Sequence, residues 1–315
     1  MMKYVAVDSG KYTTKAMTLR QDGTEKSLVF RTKMEETIRN EAQGQSYIVE
    51  YGGKRYLLGE QAESNSAKSS KAEDLHKIAT YTALHQLCNS EDEIIIAIGC
   101  PLSVYENPES RAAYKKFMFP DTNNKQIDIK VGDVTKHLVI KSVVVLPESS
   151  GVIYLEPEKY AKSLVGICDC GGLNLNACCY SKGIPVLSTL YTDTLGGNIL
   201  AQNLKNALST KYNCDIPQFM LDDIVSNGYV TDNMSPDGVL AGSREFIADF
   251  KKKHVQTIFK KCEANGWNIK IMHLIFIGGT SQVLEKEIKS VLPGATIYPD
   301  AAMANVKGFL RVINE

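Results

Sequence analysis

Four short glycine turns adjoin strand-like segments of this 315-residue chain, and each can present backbone N–H groups to an anion. The first is Asp8-Ser9-Gly10-Lys11-Tyr12-Thr13-Thr14-Lys15. Amides in a glycine turn approach a phosphate closely because no side chain intervenes. The pattern therefore predicts that amides from 10 to 12 line a phosphate. It also predicts that Lys15 adds positive charge and that Asp8 faces a metal-bound water.

The other three glycine turns lie in the second half of the chain. They are Asp169-Cys170-Gly171-Gly172-Leu173-Asn174, Leu195-Gly196-Gly197-Asn198 and Gly278-Gly279-Thr280-Ser281. The last two precede predicted helices, whose N-terminal N–H groups suit the ribose or phosphates of a nucleotide. Taken singly, each turn is more often an ordinary connection. Four of them, two with a carboxylate, favour a phosphate-binding site.

The two halves of the chain begin alike. Residues 5–10 and 165–171 are both apolar strands that end in Asp-x-Gly, and each is followed by another strand. Asp8 and Asp169 are about half the chain length apart. This repetition predicts two related domains, each presenting an acidic strand end and a glycine turn to a shared cleft.

Hydrophobic periodicity predicts a mixed α/β protein that positions these turns. The predicted strands are 5–7, 13–19, 27–31, 47–51, 55–58, 93–98, 127–131, 137–146, 164–168, 174–180, 184–190 and 274–277. The predicted helices are 75–88, 111–117, 149–155, 197–208, 244–264 and 301–313. Residues 61–74 are polar and are predicted to form a surface loop or a polar helix.

Composition and charge exclude several classes of protein. The 36 basic and 36 acidic side chains leave no net charge, which argues against sequence-independent nucleic-acid binding. No apolar run approaches a membrane span, and no secretory signal is visible, so the expectation is a cytoplasmic protein without membrane contact. The P-loop and dinucleotide-binding fingerprints are both absent from the sequence.

The eight cysteines are predicted to be reduced and mostly buried. Cys168-Asp169-Cys170-Gly171 loosely resembles the cysteine cluster of one bacterial sugar-kinase family, but later members of that cluster have no counterparts here. A zinc site therefore remains the less favoured interpretation.

The order of the motifs resembles the actin-like ATPase superfamily, which includes actin, DnaK-type chaperones and sugar kinases. Residues 8–15 resemble its first phosphate loop, 169–174 its second and 275–281 its adenosine loop. Leu146-Pro147-Glu148-Ser149-Ser150-Gly151 and Ala304-Asn305-Val306-Lys307-Gly308 resemble its two connecting segments, and Thr194-Leu195-Gly196-Gly197 resembles the glycine turn of the chaperones. The implied fold is α/β and actin-like (ribonuclease H-like): two duplicated domains around a nucleotide cleft, each with a smaller inserted subdomain.

The resemblance implies a domain division. Domain I would span residues 1–156 with an insertion at about 31–74. Domain II would span residues 157–315 with an insertion at about 209–255, and the last helix, at about 301–313, would pack back toward domain I.

The resemblance also implies the cofactors, ATP or GTP with Mg²⁺, and the roles of individual side chains. Glu148 would orient the attacking water, although a solvated glutamate at a helix start is the alternative. Asp8 and Asp169 would hold metal-bound waters, Asp169 would also help to place the attacking water, and Lys15 would contact the β-phosphate. The nucleotide-binding set would be Asp8, Gly10, Lys11, Tyr12, Thr13, Lys15, Gly171, Gly172, Leu173, Asn174, Gly196, Gly197, Gly278, Gly279, Thr280 and Ser281. Lys11, Tyr12 and Thr13 depart from the residues usual in relatives, so only their backbone contacts carry over.

Within the superfamily, length and motif details are most similar to the ParM-type plasmid segregation actins. The implied function is a nucleotide-dependent, filament-forming ATPase that segregates plasmid DNA. Its partners would be further copies of itself and a DNA-binding adaptor of ParR type. The polar stretch 33–74 is the predicted longitudinal contact.

Three alternatives remain open. The first is a kinase or phosphatase of the same superfamily that acts on a small sugar or acid. The second, less favoured, is an ATP-dependent activator of a radical dehydratase, which would need bridging cysteines. The third is a nucleotide-binding scaffold that no longer hydrolyses, against which Glu148 and Asp169 argue.

Overall fold

A computed structural model describes residues 1–63, 71–120 and 125–315. Its strands are β1 Met2–Ser9, β2 Thr13–Leu19, β3 Glu25–Arg31, β4 Met34–Glu36, β5 Ser46–Tyr51, β6 Lys54–Gly59, β7 Glu93–Cys100, β8 Lys125–Val131, β9 Val134–Pro147, β10 Leu164–Cys170, β11 Leu175–Ser181, β12 Ile184–Asp193, β13 His273–Ile277 and β14 Thr296–Ile297. Its α-helices are α1 Asp74–Leu87, α2 Leu102–Glu106, α3 Pro108–Met118, α4 Gly151–Leu155, α5 Pro157–Tyr160, α6 Gly197–Tyr212, α7 Leu221–Asn227, α8 Ser243–Ala264, α9 Gly279–Val283, α10 Glu285–Val291 and α11 Ala304–Asn314. Short 3-10 helices span Gln218–Met220 and Ala301–Met303.

The chain divides into two compact units. Unit 1 comprises Met1–Glu156 and Met303–Glu315, and unit 2 comprises Pro157–Ala302. Among the helices of the described residues, none is long and apolar enough to cross a membrane.

Within the described residues, unit 1 contains a nine-stranded sheet in the order β3-β2-β1-β7-β9-β8-β5-β6-β4. Strands β1, β7 and β9 run parallel to one another, while β2 and β3 pair antiparallel at one side. Beyond β9, the sheet continues with β8, β5, β6 and β4, which pair antiparallel. The carboxyl ends of the three parallel strands therefore lie side by side, which is where α/β sheets usually place their ligands.

Both faces of the central strands of unit 1 are covered. Alternate residues of β1 show this, because Val5 and Val7 pack with helix α1 on one face and Ala6 packs with helix α11 on the other. Strand β7 alternates in the same way and is apolar nearly throughout, as expected of a fully buried parallel strand.

Helices α4 and α11 of unit 1 cross at glycines. A Cβ on Gly151 would lie 2.3 Å from the Ala304 carbonyl oxygen, and one on Gly308 would lie 2.3 Å from the Gly151 oxygen. The Gly151 N–H donates to the Asn305 side chain at 3.3 Å. The two segments that resemble connecting segments are thus packed backbone to backbone, which only glycine permits.

Unit 2 contains a five-stranded sheet in the order β12-β11-β10-β13-β14, and its residues are all described. Strand β10 pairs antiparallel with β11 and parallel with β13. Strand β11 pairs antiparallel with β12, and β13 pairs parallel with β14. This pattern repeats that of β3-β2-β1-β7-β9 in unit 1. The duplicated α/β architecture predicted from the sequence is confirmed.

Most predicted elements are present, with shifted ends, but two predictions need correction. The helix predicted over 149–155 begins only at Gly151, because Ser149 takes a left-handed conformation with φ 66°. Part of the polar segment 61–74 is buried, since Ala62 and Lys71 are 2% and 5% exposed. Residues 64–70 of that segment lie outside the described residues. Helix α7 is found in a stretch, 216–242, for which the sequence analysis gives no element.

Candidate functional site

The carboxyl ends of β1, β7 and β9 bring two acidic side chains together in unit 1. Asp8 is the penultimate residue of β1. Glu148 directly follows β9, and its N–H donates to the Cys100 carbonyl at the end of β7. Each of these acidic residues is 7% exposed. Glu148 is therefore a buried carboxylate at the sheet edge rather than a solvated glutamate at a helix start.

A lysine that the sequence did not single out lies between these carboxylates. The Lys71 ammonium forms an ion pair with Glu148 Oε1 and lies 3.6 Å from Asp8 Oδ1. Burial lowers the pKa of Lys71, but Glu148 and Asp8 raise it more, so that the net shift is upward. The lysine is thus held in its charged form.

The Asp8 carboxylate retains an unused acceptor. Its Oδ1 is buried without a hydrogen-bond partner, and the Lys71 nitrogen is too distant to donate to it. A Cβ on the neighbouring Gly99 would lie 3.3 Å from Asp8 Oδ1 and 3.5 Å from Glu148 Cγ. A glycine at this place leaves room beside both carboxylates. The arrangement fits a hydrated Mg²⁺, which takes oxygen ligands and keeps several waters.

The first phosphate-loop candidate is a tight hairpin between β1 and β2. Gly10 donates its N–H to the Asp8 carbonyl at 3.0 Å, and a Cβ at Gly10 would lie 2.7 Å from the Thr13 carbonyl oxygen. Lys15 is directly opposite Asp8 in the antiparallel register, so both side chains are on the same face.

Two cationic side chains flank the tip of this hairpin. Lys11 is partly buried, and burial, together with Lys71, lowers its pKa. The Arg31 guanidinium lies over the Tyr12 ring at 3.6 Å from its centroid, and the Tyr12 carbonyl accepts from the Thr32 N–H. Tyr12, which departs from the residue usual in relatives, therefore stabilises the hairpin by packing against Arg31.

A buried polar chain supports the hairpin from below. The Ser9 hydroxyl lies 3.1 Å from His76 Nδ1 on α1 and 3.4 Å from the Thr14 hydroxyl, which in turn contacts Thr32 at 2.9 Å. Burial and the charge of Lys71 lower the pKa of His76 to about 3. His76 is therefore neutral at neutral pH and acts as a hydrogen-bonding partner.

The three glycine turns of unit 2 meet around the end of β10. Asp169 is on β10, 8% exposed, and pairs in register with Ile277 at the end of β13. The Gly171 N–H donates to the Asn174 carbonyl at 2.9 Å, and the Thr280 hydroxyl donates to the Gly171 carbonyl at 2.9 Å. Residues that the sequence predicted as one site are thus brought together within the unit.

The start of α6 is bonded directly to the second turn. Gly197 and Asn198 donate their N–H groups to the carbonyls of Gly171 and Gly172, at 3.1 and 2.6 Å. A Cβ on Gly196 would lie 2.4 Å from the Leu173 carbonyl carbon. The Gly196-Gly197 pair therefore orients the 171–174 turn, and the two amides named here are used for that purpose.

Gly278 is the most constrained of the glycines next to Asp169. Its φ is 86°, and a Cβ there would lie 2.4 Å from the Cys170 carbonyl oxygen and 2.7 Å from Asp169 Oδ1. Gly279 has nothing within 4 Å of its Cβ position, and Ser281 donates its hydroxyl to the Ile277 carbonyl. Only a glycine at position 278 allows the end of β13 to lie this close to Asp169.

The cysteines near Asp169 pack inside unit 2. Cys168, Cys170, Cys178 and Cys179 are all buried, and Cys168 lies 3.9 Å from Cys262 between their sulfur atoms. In the part of the chain that the structure describes, no cluster of three or more metal-ligating side chains forms. Burial raises the pKa of Cys170 to about 12, as expected for a thiol in an apolar core.

Lys71 and His76 are the site residues that sequence reasoning missed. Lys71 belongs to a polar stretch with no periodicity, and His76 belongs to the apolar face of α1. The sequence offered one signal for these two residues: a lysine and a histidine flank the start of a predicted helix, just after the segment that resembles an inserted subdomain.

Comparison with known proteins identifies a family model that matches the N-terminal part of the chain. Residues 6–151 match the family model described as the N-terminal domain of actin-like proteins. No curated protein sequence matches the chain.

Solved structures match both units. An Alp12 filament structure is 27% identical, with a TM-score of 0.72, and covers 99% of this chain and 98% of its own. An archaeal actin homolog, Ta0583, in complex with ADP is 16% identical, with a TM-score of 0.79 and 99% coverage of both chains. A 15-stranded ParM filament from Clostridium botulinum is 16% identical, with a TM-score of 0.74, and covers 99% of this chain and 98% of its own.

The family model covers the N-terminal half, and the structural matches extend the likeness over nearly the whole chain. The resemblance to actin-like ATPases of ParM type that the motifs predicted is confirmed: this chain carries an actin-like N-terminal domain and has the actin-like fold throughout.

Proposed function

We propose that this protein is a nucleotide-dependent, filament-forming ATPase that segregates plasmid DNA through a DNA-binding adaptor of ParR type. The observation that carries the proposal is the buried Asp8–Glu148 pair at the parallel strand ends of unit 1, with an unused carboxylate oxygen beside it. The likeness to the Alp12 and ParM filaments supports self-association.

Each unit contains groups that suit part of a nucleotide. In unit 1 the amides of Lys11 and Tyr12 bind phosphate, Gly10 shapes the turn, and Lys15 adds charge from the face that it shares with Asp8. In unit 2 the 171–174 turn binds phosphate and is held by Gly196 and Gly197. The 278–281 turn binds the nucleoside, and the ADP complex of the archaeal homolog supports nucleotide binding by this fold.

Asp8 and Asp169 would hold Mg²⁺ through water, and the metal would neutralise charge on the terminal phosphates. Glu148 accepts a hydrogen bond from the attacking water and orients it, and Asp169 is the second carboxylate assigned to water placement. Burial of Glu148 keeps bulk water from competing for its carboxylate. The backbone, rather than side-chain nucleophiles, performs most of the positioning.

The proposed filament would form from the nucleotide-bound chain and weaken after hydrolysis. A nucleotide shifts a polymerisation equilibrium only if it binds the polymer-competent form more tightly. The adaptor carries the DNA contact, because a chain with no net charge lacks a general affinity for phosphate backbones. The polar stretch 33–74 is the proposed longitudinal contact.

The decisive experiment is sedimentation with ATP and Mg²⁺, performed on the unaltered chain, Glu148→Ala and the exposed control Glu109→Ala. The unaltered chain and the control pellet with ATP and release phosphate. Glu148→Ala also pellets, hydrolyses about 100-fold more slowly and disassembles later.

No pellet with any nucleotide would contradict the filament proposal. Turnover that requires an added sugar or acid, without a pellet, would favour the small-molecule kinase or phosphatase alternative. Loss of nucleotide binding, rather than of hydrolysis, in Glu148→Ala would contradict the role assigned to Glu148.

A further inference from the structure

Lys71 is a buried charged residue of unit 1 to which the proposed mechanism assigns no role. It is 5% exposed and precedes α1 by three residues, after the chain has left β6. Lysine is almost never buried to this extent unless it is paired. Its position must therefore be maintained by the two carboxylates that it contacts.

Two buried carboxylates close together need a nearby cation. Asp8 and Glu148 are buried at the ends of β1 and β9, on either side of β7, and two charged groups in such surroundings repel each other and lose hydration. The Lys71 ammonium offsets part of both costs, because it pairs with Glu148 and lies 3.6 Å from Asp8. The protein itself thus supplies one positive charge against the two negative ones.

The place that the ammonium occupies is also the place where a divalent cation would act. Both cations need the Asp8 carboxylate, and a divalent ion beside a buried ammonium would be repelled. Lys11 adds to this repulsion, since it is close enough to Lys71 for the Lys71 charge to lower the Lys11 pKa. The unused Asp8 Oδ1 shows that Lys71 does not saturate the Asp8 carboxylate.

We propose that Lys71 is the internal counter-ion of the Asp8–Glu148 pair, and that it excludes Mg²⁺ from Asp8 until a nucleotide's phosphates give the ammonium another partner. The proposal rests on the proposed nucleotide function. It makes Lys71 a positioning residue for Glu148. It also makes metal binding conditional on nucleotide, and it links the carboxylates to the segment that follows the β4–β6 strands.

The test is titration with Mn²⁺ alone, detected by electron paramagnetic resonance, on nucleotide-free protein. Lys71→Met removes the charge and keeps the length of the side chain. Lys77→Met is the matched control, because Lys77 is on the first turns of α1 and contacts Asp74 and Phe117 instead. Lys71→Met binds Mn²⁺ at least tenfold more tightly than the unaltered chain and Lys77→Met. Adding Asp8→Asn to Lys71→Met abolishes the gain.

Lys71→Arg provides a second variant that retains the charge, and it excludes free Mn²⁺ as the unaltered chain does. Equal Mn²⁺ affinity in Lys71→Met and the unaltered chain would overturn the proposal.

Circular dichroism confirms that each variant is folded. If Lys71→Met does not fold, the unaltered chain decides: it must bind Mn²⁺ weakly alone and at least tenfold more tightly with ATP, and tight binding of Mn²⁺ alone overturns the inference.

The failure of the broader proposal is separately visible. A fluorescent ATP analogue measures nucleotide binding by the unaltered chain without reference to Lys71. Absence of that binding would refute the proposed function, whereas the Mn²⁺ titration of Lys71→Met would still decide whether Lys71 is the counter-ion.

Discussion

Asp8 in unit 1 and Asp169 in unit 2 end corresponding strands in two copies of one five-strand arrangement, yet different groups surround them. Around Asp8 the neighbours are charged side chains, Lys71 and Glu148, gathered from distant parts of the chain. Around Asp169 they are backbone groups of glycine turns in close contact.

The difference indicates that the two copies have specialised. Unit 1 combines buried charges, which can exchange partners and take part in proton or metal chemistry. Unit 2 combines backbone geometry, which cannot adjust but provides fixed donors at low entropic cost. Substitutions beside Asp8 should therefore act mainly through electrostatics, and substitutions beside Asp169 mainly through steric overlap.

The largest expected effect is electrostatic and belongs to unit 1. Lys71→Met leaves two buried carboxylates without a cation and should lower the free energy of unfolding by about 3–5 kcal/mol. Adding Glu148→Gln should recover much of that loss, since one of the two charges is then removed. Guanidinium denaturation followed by circular dichroism measures both values.

Trp267 offers an internal control for that experiment. It is the single tryptophan of the chain and is buried in unit 2, so that its fluorescence reports the unfolding of unit 2. Additive losses in the double variant would contradict the coupling between Lys71 and Glu148.

The next effect is steric and compares a glycine from each unit. Gly278→Ala should cost about 3 kcal/mol, because the added methyl meets backbone at 2.4 Å and the residue needs a positive φ. Gly99→Ala in unit 1 should cost about 1 kcal/mol, since the first atom it meets is on the Phe309 ring at 3.0 Å. Denaturation of each variant tests this order.

Gly279→Ala is the control for these two substitutions, because nothing lies within 4 Å of its Cβ position. It should change the free energy of unfolding by less than about 0.5 kcal/mol. Equal costs at Gly278 and Gly99 would show that the backbone contacts of unit 2 are not more restrictive than the side-chain contacts of unit 1.

The last effect is gradual, because it is spread over several pH units, and it concerns acid sensitivity. His76 in unit 1 has a pKa of about 3 in the folded chain, below its ordinary 6.5, so the unfolded chain binds the proton more readily between these values. Its contribution to stability is present above pH 6.5 and is lost as the pH falls toward 3, by about 1.4 kcal/mol per pH unit.

His76→Gln should remove that slope, whereas His273→Gln, an exposed histidine of unit 2, should leave it unchanged. Denaturation at several pH values between 4 and 7 provides the measurement. An unchanged slope in His76→Gln would mean that other groups account for the acid sensitivity.

The sequence predicted the acidic strand ends well and their surroundings poorly. Asp8 and Asp169 follow apolar strands with clear periodicity, and Glu148 follows a strand and a proline, so local patterns were sufficient. Gly278 was predicted as part of a phosphate turn, but its close approach to Cys170 depends on the pairing of two distant strands.

Lys71 shows why the remainder was not predictable. Its ion-pair partner Glu148 is 77 positions away, and nothing in the polar composition of 61–74 distinguishes a buried lysine from a solvated one. His76 likewise belongs to a helix whose periodicity indicates burial without indicating which hydroxyl it would contact.

By itself the sequence determined the duplicated strand pattern, the glycine turns and the carboxylates at the strand ends, because backbone conformation and apolar periodicity are local properties. Only the tertiary structure decided which charges meet. Asp8 and Glu148 are buried at the ends of β1 and β9 and need a nearby cation. The fold, rather than any local signal, supplies that cation as Lys71.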